Sequence, residues 1–268
     1  MNAPEPATAT SAEPILLMRA SEGVVHLTLN RPQQFNALSE QMLAELAAAL
    51  EQIASDRSAR VVVIAGAGKA FCAGHDLKQM RANPSVEYYQ RLFADCARVM
   101  RQIQSLPQPV IARVHGVATA AGCQLVAMCD LAVAAKEARF AVSGINVGLF
   151  CSSPAVALSR NIGRKASFEM LVTGDFIDAD TALARGLVNQ VVSLADLDGA
   201  IAQLAARITA KPASAIALGK ELFYRQIEMG IDAAYQLAGQ TMACNMIDEV
   251  AQEGVDAFME RRAPRWVG

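Results

Sequence analysis

Two short segments carry residue types suited to holding a developing oxyanion. In the first, Gly66 to Lys78 (G-A-G-K-A-F-C-A-G-H-D-L-K), Gly74 precedes His75 and Asp76. A residue without a Cβ lets the backbone come close to a ligand and turn an N–H toward it, although this loop alone fits a plain tight turn as well. In the second, Arg113 to Asp130, the small residues Ala118 to Gly122 leave a strand and enter a short helix. The first N–H groups of a helix lack intrahelical partners, and the helix dipole favours negative charge there. One donor from each segment, meeting on one oxygen, makes an oxyanion hole. That suits thioester chemistry, because the enolate of an acyl thioester concentrates charge on its carbonyl oxygen. Phosphate-binding readings fail on spacing: Ala70 follows Lys69 where a P-loop needs Ser or Thr, and Phe71 stands at the third glycine position of G-x-G-x-x-G.

The elements that must position these loops are short. Val24–Asn30, Val61–Ala65, Val110–Val114, Leu131–Ala134 and Leu187–Val192 read as apolar, β-branched strands. Ser39 caps a helix whose apolar positions Met42, Leu43, Leu46, Leu50 and Ile53 follow the 3.6-residue period, and Val86–Ile103 is a second amphipathic helix ended before Pro107. The pattern is α/β with crossover connections. From Leu194 onward strands stop and four helices follow: Asp196–Ala210, Pro212–Glu228, Ile231–Met246 and Gln252–Arg261. The chain therefore divides near residue 195 into an α/β core (15–195) and a helical region (196–268), behind a floppy tail (1–14). An apolar stripe in the second helix of that region (Ile216, Leu218, Leu222, Phe223, Ile227) exceeds what one layer uses and predicts oligomerisation.

With 268 residues, 53% of them apolar and 19% charged, the chain can bury a sizeable core. Twenty-four basic and 26 acidic residues are interleaved, so no basic stripe exists for nucleic acid. No run approaches the roughly 20 apolar residues of a membrane span, and the first fourteen residues hold neither an apolar run nor a cation. Six scattered cysteines, with no C-x-x-C pair and no histidine at ligand spacing, predict reduced thiols, no metal site and a cytoplasmic protein.

Along nearly its whole length the chain resembles the crotonase, or enoyl-CoA hydratase/isomerase, superfamily. The resemblance rests on L-N-R-P-Q-Q-F-N-A-L-S (Leu29–Ser39), G-K-A-F-C-A-G-H-D-L-K, P-V-I-A-R-V-H-G-V-A-T-A-A-G-C-Q-L-V-A-M-C-D, G-I-N-V-G-L (Gly144–Leu149), T-G-D-F-I-D-A (Thr173–Ala179), A-R-G-L-V (Ala184–Val188) and E-G-V-D-A-F-M-E-R-R (Glu253–Arg262). Within the superfamily, A-A-G-C-Q-L-V-A and N-V-G-L-F-C-S-S-P resemble one subgroup. The resemblance implies a spiral of repeated ββα units, a helical C-terminal region making a homotrimer or a dimer of trimers, and an acyl-CoA thioester as ligand. No separate cofactor is implied, since coenzyme A is part of the substrate. Carried over by position, the oxyanion donors are the backbone N–H groups of His75 and Ala121. The acyl-CoA site also takes in Ala73, Gly74, Leu77 and Gly122, with Lys69, Phe258 and Arg261 near the nucleotide end, the last two reaching from a neighbouring subunit.

The departure is in the proton-transfer groups. Hydratases of this superfamily carry glutamates at the positions held here by Gln124 and Gly144. Glutamine orients a water by hydrogen bonding but takes no proton at neutral pH, and glycine does neither. The titratable groups nearest in sequence are His75, Asp76, Asp130 and Cys151, with Ser152 beside them. The bland reading of each is structural: His75 contributes only its N–H, Asp76 caps a helix, Asp130 and His115 stand at strand edges, and Cys151 lacks a partner to lower its pKa. Three readings remain open: an enoyl-CoA hydratase-like lyase, another crotonase reaction such as isomerisation or thioester hydrolysis, and a weakly catalytic acyl-CoA-binding protein. Restoring both glutamates, by Gln124→Glu with Gly144→Glu, is expected to raise hydration, unless glycine at 144 holds a backbone angle that glutamate cannot adopt.

Overall fold

In the computed structural model, which describes residues 13–266, the chain opens with an antiparallel pair, β1 (Leu16–Ser21) and β2 (Val24–Leu29). Most of the expected N-terminal tail lies outside the described residues; at its end the Pro14 carbonyl accepts a hydrogen bond from the Asn30 side chain. Ser39 Oγ then accepts from the Met42 N–H and starts α1 (Glu40–Ser55), whose Met42, Leu43, Leu46, Leu50 and Ile53 are buried as their period requires.

After α1 the chain repeats one path three times. A longer strand joins a large sheet, a three-residue strand joins a small sheet, and helix follows. The three passes are β3 (Val61–Gly66) and β4 (Ala70–Cys72) with α2 (Leu77–Ala82) and α3 (Val86–Ser105); β5 (Val110–Val114) and β6 (Val117–Thr119) with α4 (Ala121–Met128); and β7 (Leu131–Ala135) and β8 (Arg139–Ala141) with a 3-10 turn (Ser143–Val147), α5 (Ser152–Asn161) and α6 (Arg164–Thr173). Then come β9 (Ile177–Asp178), α7 (Ala179–Ala184) and β10 (Gln190–Val192). The large sheet runs β1-β2-β3-β5-β7-β10, parallel from β2 onward, and the small one β4-β6-β8-β9. This is the ββα spiral; the opening segment, β1, β2 and α1, gives the small sheet no strand of its own, and Leu38, just before α1, makes only an isolated bridge with His75.

The three-residue strands were not foreseen, because A-F-C, V-A-T and R-F-A are too short to show any period. Leu16–Ser21 shows no such period either: it is an edge strand with mostly exposed residues, held by its register with β2. The expected strand Leu187–Val192 shrinks to Gln190–Val192, with Leu187 and Val188 buried in the connection before it.

Of the C-terminal helices, α8 (Leu197–Thr209) packs Leu197, Ile201 and Ala205 against Val61, Val63, Ile111 and Val133 of the large sheet. The others, α9 (Ala213–Gln226), α10 (Ile231–Met246) and α11 (Glu249–Met259), bury little. Phe223, Ile231, Tyr235, Met242 and Phe258 are each more than half exposed.

Candidate active site

The first donor loop is fixed by bonds on both sides of His75. The Leu38 N–H donates to the Gly74 carbonyl (2.8 Å) and the Asp76 N–H donates to the Leu38 carbonyl (3.2 Å). Asn36, fully buried, sends its Nδ2 to the carbonyls of Ala67 and Ala70 (2.8 Å each) and accepts the Arg31 N–H at Oδ1 (2.9 Å). Asp76 caps α2 through Gln79 N–H (3.2 Å) and accepts from the Arg31 guanidinium (3.0 Å). Burial works to raise the Asp76 carboxyl, but the Arg31 and Gln79 hydrogen bonds prevail and its pKa lies below the usual value. His115 adds a further tie, Nε2 to the Gly68 carbonyl at 2.9 Å. Among the described residues the His75 N–H has no partner within the protein.

The second loop turns at Ala120, with φ 51° and ψ −121°. Its N–H donates to the Ala141 carbonyl and its carbonyl accepts the Gln124 N–H, both at 3.0 Å. Helix α4 therefore begins at Ala121, and the Ala121 N–H is likewise without a partner among the described residues.

The two loops touch. Gly74 has φ +93°, and a Cβ added there would lie 2.9 Å from the Ala120 Cβ, 3.2 Å from the Thr119 carbonyl oxygen and 3.3 Å from the Ala121 nitrogen. A glycine is thus required twice over, by its backbone angle and by this approach. Gly122 is equally constrained, since a Cβ there would collide with the Cys72 carbonyl and push α4 off β4.

Around this junction the polar groups are sparse. Gln124 is 4% exposed and its Oε1 is buried with no hydrogen-bond partner among the described residues. Gly144, in the 3-10 turn, donates its N–H to Cys151 Sγ at 3.3 Å. Thr119 and Ser143 share a hydroxyl hydrogen bond of 2.8 Å. The His75 ring packs edge-on against Phe93 of α3 (centroids 5.3 Å apart), its Nε2 buried and unpartnered. Burial pushes its pKa down to about 4, so the ring is neutral at pH 7.

Burial also pushes the Cys151 thiol upward, against the Gly144 N–H, and raises Cys72 and Cys123 to about 12. These are inert packing thiols. Asp130 is committed elsewhere: it accepts from the Val110 N–H (2.6 Å), Lys220 Nζ (2.6 Å) and the Tyr224 hydroxyl (2.7 Å), tying α9 to the body.

The remaining sequence-derived positions separate into two groups. Ala73 lies in the first loop, its N–H on the Phe35 carbonyl, and Leu77 opens α2 with more than half its surface exposed. Lys69 is exposed in the β3–β4 turn. Phe258 and Arg261 stand at the end of α11, where Phe258 is 84% exposed. Sequence reasoning missed the clamp made by Arg31 and Asn36 and the turn at Ala120. The L-N-R-P-Q-Q-F-N-A-L-S segment held the first signal, yet nothing in one sequence places it against a loop 31 to 45 residues away.

A family profile described as enoyl-CoA hydratase/isomerase matches residues 19–268. Enoyl-CoA hydratase domain-containing protein 3, mitochondrial, from Xenopus laevis is 44% identical over 253 residues, covering 94% of this chain and 86% of that protein. The human protein of that name is 41% identical, covering 92% and 82%. A crystal structure of an enoyl-CoA hydratase from Mycobacterium smegmatis superposes with a TM-score of 0.94 at 67% identity, covering 95% of this chain and 99% of that one. The crystal structure of the human domain-containing protein 3 gives 0.92 at 40%, covering 94% and 100%. The subgroup resemblance read from A-A-G-C-Q-L-V-A and N-V-G-L-F-C-S-S-P agrees with these relatives. The expectation of a cytoplasmic protein does not stand: relatives 41% to 44% identical, from frog, rat, mouse, human and zebrafish, are named mitochondrial. Reduced cysteines report a reducing environment and do not tell one such compartment from another.

Proposed function

Since the chain belongs to the enoyl-CoA hydratase/isomerase family, we propose that it binds an acyl-CoA thioester with the carbonyl oxygen between the N–H groups of His75 and Ala121 and stabilises the thioester enolate. The observation that supports this is the close approach of Gly74, the residue before His75, to Ala120 and Ala121, together with the N–H groups of His75 and Ala121, which have no partner among the described residues. Donors already in position stabilise a developing oxyanion by roughly 100-fold to 1,000-fold each. Gln124 orients a water or substrate group through its unpaired Oε1, and Ala73, Gly74, Leu77 and Gly122 line the acyl-CoA path.

Proton transfer is the weak step of the resulting enoyl-CoA hydratase-like lyase. General acid and base groups supply about 100-fold to 10,000-fold each, and neither Gln124 nor Gly144 is one. His75 is neutral and packed on Phe93, and Asp76 and Asp130 are held in ion pairs. These facts favour slow turnover or retention of the thioester over rapid hydration; isomerisation and thioester hydrolysis are the other reactions to be screened. Residues 15–195 form the acyl-CoA core in this reading. The helices of 196–268 close a trimer or a dimer of trimers: α8 is packed on the large sheet, but α9, α10 and α11 leave apolar side chains open in a single chain, and Phe258 and Arg261 of a neighbouring subunit meet the nucleotide beside Lys69.

Calorimetry with acyl-CoA esters of graded chain length, followed by mass spectrometry of each mixture, tests the reading. Micromolar binding is expected, with little or slow conversion of crotonyl-CoA. No heat with any ester overturns it.

A further inference from the structure

Ala120 is the residue on which the two donor loops are set. An alanine at φ 51° and ψ −121° occupies a region that L residues rarely adopt, and such outliers persist only where the surroundings hold them. Here they do: its N–H is fixed on Ala141, its carbonyl on Gln124, and its methyl faces the bare Cα of Gly74. The ψ angle of residue 120 orients the peptide plane shared with residue 121, and hence the direction of the Ala121 N–H. The helix that starts there also carries Gln124, with a buried and unpaired Oε1 in its first turn, a second sign that this end is built to receive a group.

From these contacts we infer that Ala120 is a positioning residue. Its methyl sets the spacing of the two loops and its strained turn aims the Ala121 N–H, so that polarisation of the bound carbonyl depends on a side chain that touches no substrate. The inference rests on the acyl-CoA reading above. Glycine at 120 would adopt the same angles without strain but would leave the gap over Gly74 open and the peptide plane free to rotate. Serine keeps the Cβ in place.

The test is isotope-edited infrared spectroscopy of butyryl-CoA labelled with carbon-13 at the thioester carbonyl, which cannot be hydrated, bound to the full-length wild type, to Ala120→Gly and to Ala120→Ser. The wild type is expected to lower the carbonyl stretch from its solution value. A120G is expected to return it at least halfway while its unfolding midpoint stays equal to or above wild type, and A120S to keep the wild-type shift. A merely structural Ala120 would lower the midpoint on going to glycine and leave the stretch unmoved in the folded fraction; either result overturns the inference. Wild type that binds butyryl-CoA without any shift of the stretch overturns it too. Wild type that does not bind the ester at all removes the acyl-CoA reading and this inference with it.

Discussion

Gly144 and Cys151 fill one another's space. The Gly144 N–H donates to the Cys151 sulfur at 3.3 Å, and a Cβ on Gly144 would lie 2.7 Å from that sulfur and 2.5 Å from the Leu149 carbonyl oxygen. At 144, where the resemblance implies a glutamate, the turn leaves no room for a Cβ. The φ of Gly144 is not among the positive ones, so space rather than backbone angle excludes a side chain.

That relationship changes the expected outcome of restoring the glutamates. Gly144→Glu must displace a backbone carbonyl and is expected to destabilise by about 2–4 kcal/mol, in the manner of overpacked cores, with no gain in hydration. Gly144→Ala should show most of the same loss, because the clash begins at the Cβ. Thermal denaturation of the two variants side by side checks this; a well-folded, faster G144E would show that the turn opens readily.

Gln124→Glu is the substitution the site accepts, being isosteric. It should raise crotonyl-CoA hydration by about 10-fold to 100-fold, since one base beside an oxyanion hole recovers part of the missing proton transfer. Burial will hold the new carboxyl above its usual pKa, so the gain should grow with pH as the carboxylate forms. Stability moves the other way. A group whose folded pKa is raised binds more protons folded than unfolded, and so loses stability as pH rises through that window. Steady-state rates and denaturation midpoints across pH, compared with wild type, read both signs.

His75 gives the wild type its own pH signature. Its folded pKa of about 4 lies below the 6.5 of an unhindered imidazole, so between those values the unfolded chain binds more protons and stability rises with pH. Acidification from pH 6.5 to 4 should cost up to about 3 kcal/mol from this group. His75→Phe should flatten that part of the denaturation profile while leaving acyl-CoA binding within a few fold, because the proposed donor is backbone. Loss of binding in H75F would place the ring itself in the site.

Asn36 should be the most sensitive polar residue of the first loop. Its three side-chain hydrogen bonds hold Arg31, Ala67 and Ala70, and its φ of 55° suits asparagine better than alanine. Asn36→Ala should destabilise by about 2–4 kcal/mol and weaken acyl-CoA binding as the loop slackens. Asn36→Asp should do no better, since its carboxylate would face two carbonyl oxygens. Chemical denaturation and calorimetry of both variants supply the measurement.

Periodicity carried the long elements. The Ser39 cap, the buried stripe of α1, the span of α10 and the parallel strands β3, β5 and β7 are each specified by residues within one or two turns of themselves, and so were legible in order along the chain. The glycine and small-residue loops were legible as places that leave an N–H free, and the absence of a carboxylate at 124 and 144 needed only the sequence. What the tertiary structure decided is everything that depends on a neighbour distant along the chain. The small sheet exists because β4, β6 and β8, too short to announce themselves, are laid side by side by successive turns of the spiral. Asn36 clamps the first loop across more than thirty residues, and the strain at Ala120 is held by Ala141 and faced by Gly74. Gly144 looked in sequence like a carboxylate simply lost. Only the approach of Leu149 and Cys151 shows that the room for one has gone as well, because steric exclusion is a property of the atoms that arrive from elsewhere and not of the residue that meets them.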